Sequence, residues 1–121
     1  MTDALRAGSG PVLRVVFFRT RGGHEPVREW LRSLEREDRK AVGEDIKTAQ
    51  FGWPLGMPLI RKLEAGLWEV RSLTTQGTAR VIFTVEGETM VLLHGFVKKS
   101  RRMPQNDVRT ARRRRASLAE E

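Results

Sequence analysis

The sequence predicts an α+β domain: two helices on one face of a mostly antiparallel sheet of four to five strands, then a basic C-terminal helix. Three observations carry this. Apolar residues recur at helical spacing between residues 27 and 49, alternate between 59 and 97, and resume a helical spacing after Pro104. With 121 residues the chain suits a single domain spanning 1–121, large enough to fold around one core without staples.

Residues 1–11 are small and polar, with Gly8, Gly10 and Pro11, and read as a loose leader. "VLRVVFFR" (12–19) is β-branched and aromatic, and predicts the first strand. Pro26 suits a first helical turn, with His24 or Glu25 at the cap. Val27, Trp30, Leu31 and Leu34 then form one stripe. A second helix runs from about Asp38 to Gln50 on Val42, Ile46 and Ala49, and "FGWPLGMP" (51–58) ends it. Four short strands follow at 59–64, 67–73, 79–85 and 89–97, joined by glycine-containing links. The last helix, 104–118, has Val108, Ala111 and Arg115 on one side.

With helices against one face, the sheet keeps the other face open. Alternation puts Trp68 and Val70 on the helix side, together with Ala79, Val81, Phe83 and Val85. Arg71 and Arg80 then share the open side. Trp30 and Trp68 lie on apolar stripes and belong to the core. Trp53, between Gly52 and Pro54, is the tryptophan expected at the surface. The charged stretch around Asp38, Glu44 and Asp45 reads as a solvated helix face.

The formal charge of +8 is unevenly spread. Residues 1–97 hold 14 Lys/Arg against 12 Asp/Glu, whereas residues 98–115 hold 9 against Asp107 alone. Such a block suits phosphate, with RNA or DNA as its source, or else a solvated cationic helix that keeps the protein soluble or docks on an acidic partner. There is no cysteine, which excludes disulfides, thiolate zinc sites and a cysteine nucleophile, and fits a reducing cytoplasm. No apolar run approaches the ~18 residues of a membrane span. No P-loop, dinucleotide fingerprint or zinc spacing is present, so no metal or cofactor is expected.

"GLWEVR", "ARVIF" and "LLHGFVKK", in this order across residues 61–104, resemble the RelE/ParE toxin superfamily, most closely its HigB-like, phage-derived branch. The resemblance implies the toxin of a type II toxin–antitoxin pair: a metal-independent endoribonuclease that cuts mRNA on the ribosome. It implies a cognate helix-turn-helix antitoxin as partner, and no small-molecule cofactor. The ParE branch inhibits DNA gyrase instead, and a nucleic-acid-binding protein without activity is a third alternative. The basic positions that the resemblance carries over are Lys62, Arg71, Arg80, Lys98 and Lys99.

Metal-free RNA cleavage needs a base for the 2′-hydroxyl, an acid for the leaving 5′-oxygen, and cations around the phosphorane. Arginine suits the last task through its planar, permanently charged fork, which nominates Arg80 and then Arg71. Either arginine alternatively pairs with Glu69 on the sheet surface. His94 is the default acid–base residue by type, yet it sits within an apolar strand and equally reads as a hydrogen-bonded core residue. Lys98 and Lys99 serve as base if crowding by Arg80, Arg101 and Arg102 favours a neutral amine, and otherwise hold phosphate oxygens. The chain has no tyrosine, unlike some relatives that place one near the scissile phosphate. Arg101, Arg102, Arg109, Arg112 and Arg113 are candidates for contact with RNA or the ribosome.

Overall fold

The computed structural model describes residues 12–98 and 104–119. The leader, Lys99, Arg101 and Arg102 lie outside the described residues. The elements are β1 (Arg14–Phe17), α1 (Pro26–Ser33), α2 (Arg36–Gly52), β2 (Ile60–Glu64), β3 (Leu67–Thr74), β4 (Gly77–Glu86), β5 (Thr89–Lys98) and α3 (Gln105–Leu118). The five strands form one sheet in the order β1-β5-β4-β3-β2. Strand β1 runs parallel to β5, and every other neighbour is antiparallel.

Helices α1 and α2 cover one face. Val27, Val42, Ile46 and Ala49 are buried there against Val70, Val81, Phe83 and Leu92. Pro26 occupies the first turn of α1, where its missing N–H costs nothing. The cap position is Glu25, without a side-chain cap bond, so His24 does not cap. It lies exposed with its Nδ1 3.4 Å from Glu29. Trp53 is packed edge-on against Trp68 (5.1 Å) and Phe83 (5.6 Å), not exposed, because the turn after α2 folds back over the sheet. Asp38 is also not solvated. It is 2% exposed on the buried stripe of α2, and its two oxygens accept from the Thr75 N–H (2.9 Å) and hydroxyl (2.7 Å). A buried carboxylate is tolerated when hydrogen bonds replace its water, and this one clasps α2 to the β3–β4 turn.

The expectation of an open second face needs correction. A second apolar cluster joins Leu67, Ile82, Val91 and Leu93 to Val108, Ala111 and Leu118 of α3. The last helix therefore lies across the face opposite α1 and α2, and only the part of that face that α3 leaves uncovered forms a groove. The signal was Leu67, which alternates with Glu69 and Arg71 yet is fully buried.

A register shift in the β4–β5 ladder positions the middle of β5. Ile82 pairs with His94 but Phe83 pairs with Leu92, so Leu93 is the extra residue. A bulge lets two consecutive residues face the same way. Leu93 enters the α3 cluster, and His94 reaches α3 beside it. Gly95 then takes the α1 side, where the Trp30 ring lies directly on its backbone, leaving no room for a side chain.

A candidate nucleic-acid interface

Where α3 leaves the sheet uncovered, a groove of about 380 Å³ opens between the helix and strands β2, β4 and β5. Arg61, Lys62, Leu63 and Glu64 line it from β2, Arg80 from β4, and Lys98 from the end of β5. Pro104, Gln105, Val108, Arg109 and Arg112 line it from α3 and its start. Six cationic side chains thus meet one carboxylate, and that carboxylate is occupied. Arg112 donates to both oxygens of Glu64, Nε to Oε2 at 3.0 Å and Nη2 to Oε1 at 2.7 Å. These hydrogen bonds hold the Glu64 carboxyl below its ordinary range, with the nearby Arg115 charge adding to the effect against partial burial. The Lys62 ammonium lies 5.9 Å from the Trp68 ring centroid, at the margin of the groove.

Arg80 is mostly covered, with 7% of its side chain exposed, and its Nη1 donates to Glu69 Oε2 at 2.9 Å. The pairing with Glu69 is therefore real but buried rather than on the sheet surface, and the arginine still lines the groove. Arg71 sits directly opposite Arg80 in the β3–β4 register. Its Nε is 4.0 Å from the same Glu69 oxygen. Arg71 nevertheless opens on another cavity, of about 440 Å³, with Leu59, Leu73 and Asp45. The two guanidiniums are neighbours across the ladder and share the Glu69 carboxylate, but Arg80 lines the groove and Arg71 the other cavity.

His94 is not among the groove residues. Its Nε2 is 2.7 Å from Asp107 Oδ1, and its Nδ1 is 3.4 Å from Arg114 Nη1, which also donates to the Leu93 carbonyl at 2.8 Å. A guanidinium only donates, so Nδ1 accepts and the ring proton sits on Nε2, donated to Asp107. His94 is thereby engaged as a clasp between β5 and α3. Burial, with the neighbouring Arg113 charge second, lowers the Arg114 pKa. Arg109 and Arg112 line the groove, whereas Arg113 is exposed outside its lining. Reading the sequence missed Arg61 and Arg114, and it gave Glu64 and Asp107 no structural role. Asp107 had left a trace as the lone acid in a block of nine basic residues.

The groove can hold a strand of phosphates: several fixed cations along a concave path, with Arg80 at its floor and Lys98 at the end of the sheet. Among the described residues no group of His, Cys, Asp and Glu is arranged to hold a metal ion. Among them, too, no helix is long and apolar enough to cross a membrane.

This α+β architecture accompanies a family match of the RelE-toxin-like class. A family model described as phage derived protein Gp49-like (DUF891) matches residues 29–116, and the chain belongs to that family. No curated protein matches it significantly.

Proposed function

We propose that this chain is a HigB-like toxin of a type II toxin–antitoxin pair, acting in the cytoplasm as a ribosome-dependent mRNA endoribonuclease. The observation that carries the reading is the cationic groove with Arg80 at its floor and Lys98 at the strand end. RNA backbone lies along the groove, and Arg80 stabilises charge on the scissile phosphate. The 2′-oxygen attacks phosphorus, the bond to the 5′-oxygen breaks, and a 2′,3′-cyclic phosphate remains. One group takes the 2′ proton and another supplies a proton to the 5′-oxygen. With His94 engaged by Asp107 and Arg114, these transfers fall to Lys98, Lys99 or groups of the ribosome. A helix-turn-helix antitoxin holds the toxin inactive.

The test is induction in cells followed by mapping of mRNA 5′ ends. Cuts near codons that vanish in Arg80→Ala support the reading. Growth arrest with intact mRNA and broken or over-supercoiled DNA overturns it in favour of gyrase inhibition. No growth effect, with RNA still retained on a column, leaves only nucleic-acid binding.

A further inference from the structure

Beneath the groove lies a carboxylate that the proposed chemistry does not use. Glu69 is 0% exposed, in a chain of net charge +8. Its Oε2 serves Arg80 at 2.9 Å and stands 4.0 Å from Arg71 Nε. Its Oε1 has no hydrogen-bond partner, and neither do the buried Nε atoms of Arg80 and Arg71. Burying such a cluster is costly, and apolar side chains of similar volume would serve stability as well or better. The register explains what Glu69 does. Arg71 and Arg80 are directly opposed, at a separation where like charges repel. One carboxylate between them leaves a single net positive charge and ties Arg80 by one nitrogen.

We propose that Glu69 is a positioning residue for the groove: it holds the Arg80 guanidinium in one orientation and limits the Arg71–Arg80 pair, of which Arg80 lines the groove, to one net positive charge, matched to one phosphodiester of an RNA strand. This rests on the groove being the RNA site. Glu69→Gln keeps the shape and an acceptor for Arg80 but releases a second positive charge. Attraction for the RNA backbone then rises while the orientation of Arg80 loosens, so binding and cleavage separate. A purely structural role would move both together with the folded fraction.

The experiment uses the full chain and a fluorescein-labelled single-stranded RNA decamer across a KCl series, with cleavage assayed on programmed ribosomes. The Arg80 Nε–Hε resonance reports orientation. In Glu69→Gln, the expected log–log salt dependence of binding is steeper by about 0.7, one phosphate's worth for a single strand. Cleavage falls about a hundredfold, the scale of a 1 Å misplacement, and the protected Nε–Hε signal is lost. Glu69→Asp keeps the wild-type slope. If Glu69→Gln does not fold, Glu69→Gln with Arg71→Met leaves one net charge, on Arg80, and its slope matches wild type while the protected Nε–Hε signal stays absent. An altered slope in that pair overturns the proposal. So does a Glu69→Gln protein with unchanged slope and resonance, or one whose binding and cleavage fall in parallel. If the wild-type chain does not cleave on ribosomes, the nuclease reading fails, and the slope and resonance decide the role of Glu69 by themselves.

Discussion

His94 of β5 and Asp107 of α3 are joined by a 2.7 Å hydrogen bond, 13 residues apart in the chain. Phe96 stacks on the imidazole at 5.6 Å, and Arg114 closes its other side. The bond is therefore one of the ties between α3 and the sheet, beside the apolar face of the helix, and α3 forms one wall of the cationic groove.

Removing the acceptor leaves a part-buried imidazole N–H unsatisfied. Asp107→Ala is expected to cost about 1–3 kcal/mol in urea denaturation. Amide exchange in α3 should quicken more than in β4. Equal protection of α3 in variant and wild type would show that the helix is held by its apolar face alone.

Gly95 and Trp30 are a matched pair. A methyl group at residue 95 would collide with the indole, so Gly95→Ala is expected to destabilise by about 1–3 kcal/mol, the range for overpacking. Trimming the indole in Trp30→Leu should make the alanine cheaper in the double variant than the two single effects summed. Strict additivity would mean that the indole can swing away.

The Glu64–Arg112 bridge predicts an acid-sensitive contact. The Glu64 pKa is depressed in the folded chain, chiefly by the Arg112 hydrogen bonds. A depressed carboxyl contributes stability that is present above its unfolded value, about 4.3, and is lost as pH falls through the lower folded value. Between pH 6 and pH 3, α3 should lose exchange protection selectively in the acid part of the range. In Glu64→Gln that acid-dependent loss should be absent; an identical pH profile would remove the bridge as its cause.

Much of the fold is written in periodicity. Val27 and Trp30 announce α1, Val42, Ile46 and Ala49 announce α2, and the alternation after Leu59 announces the meander. What was not legible depends on tertiary placement. The strict period of two would put His94 on the α1 side with Leu92, and only the bulge at Leu93 turns it to α3. The placement of α3 on the second face follows from Leu67, Ile82 and Leu93, which read equally well as a strand's ordinary apolar content. Arg71 and Arg80 share one face of the sheet and the Glu69 carboxylate, yet only Arg80 lines the groove, a difference that alternation does not encode. Asp38 carries the same composition as its exposed neighbours, and only the distant Thr75 reveals it as buried.

The parallel pairing of β1 with β5 bears on the order in which the molecule can be assembled. Arg14 to Phe17 align with Thr89 to Leu92, so among the described strands β1 is partnered by the one furthest from it in sequence. Both helices of the first layer and the whole antiparallel meander can form while "VVFF" is still unpaired. Contacts so distant in sequence form slowly, and unpaired apolar strands invite association with other chains in the interval. Arg14 and Arg19 stand at either side of that segment, the positions at which charge discourages such association. Strand β1 thus depends on a distant partner to close the sheet, with an arginine guarding each end of its apolar run.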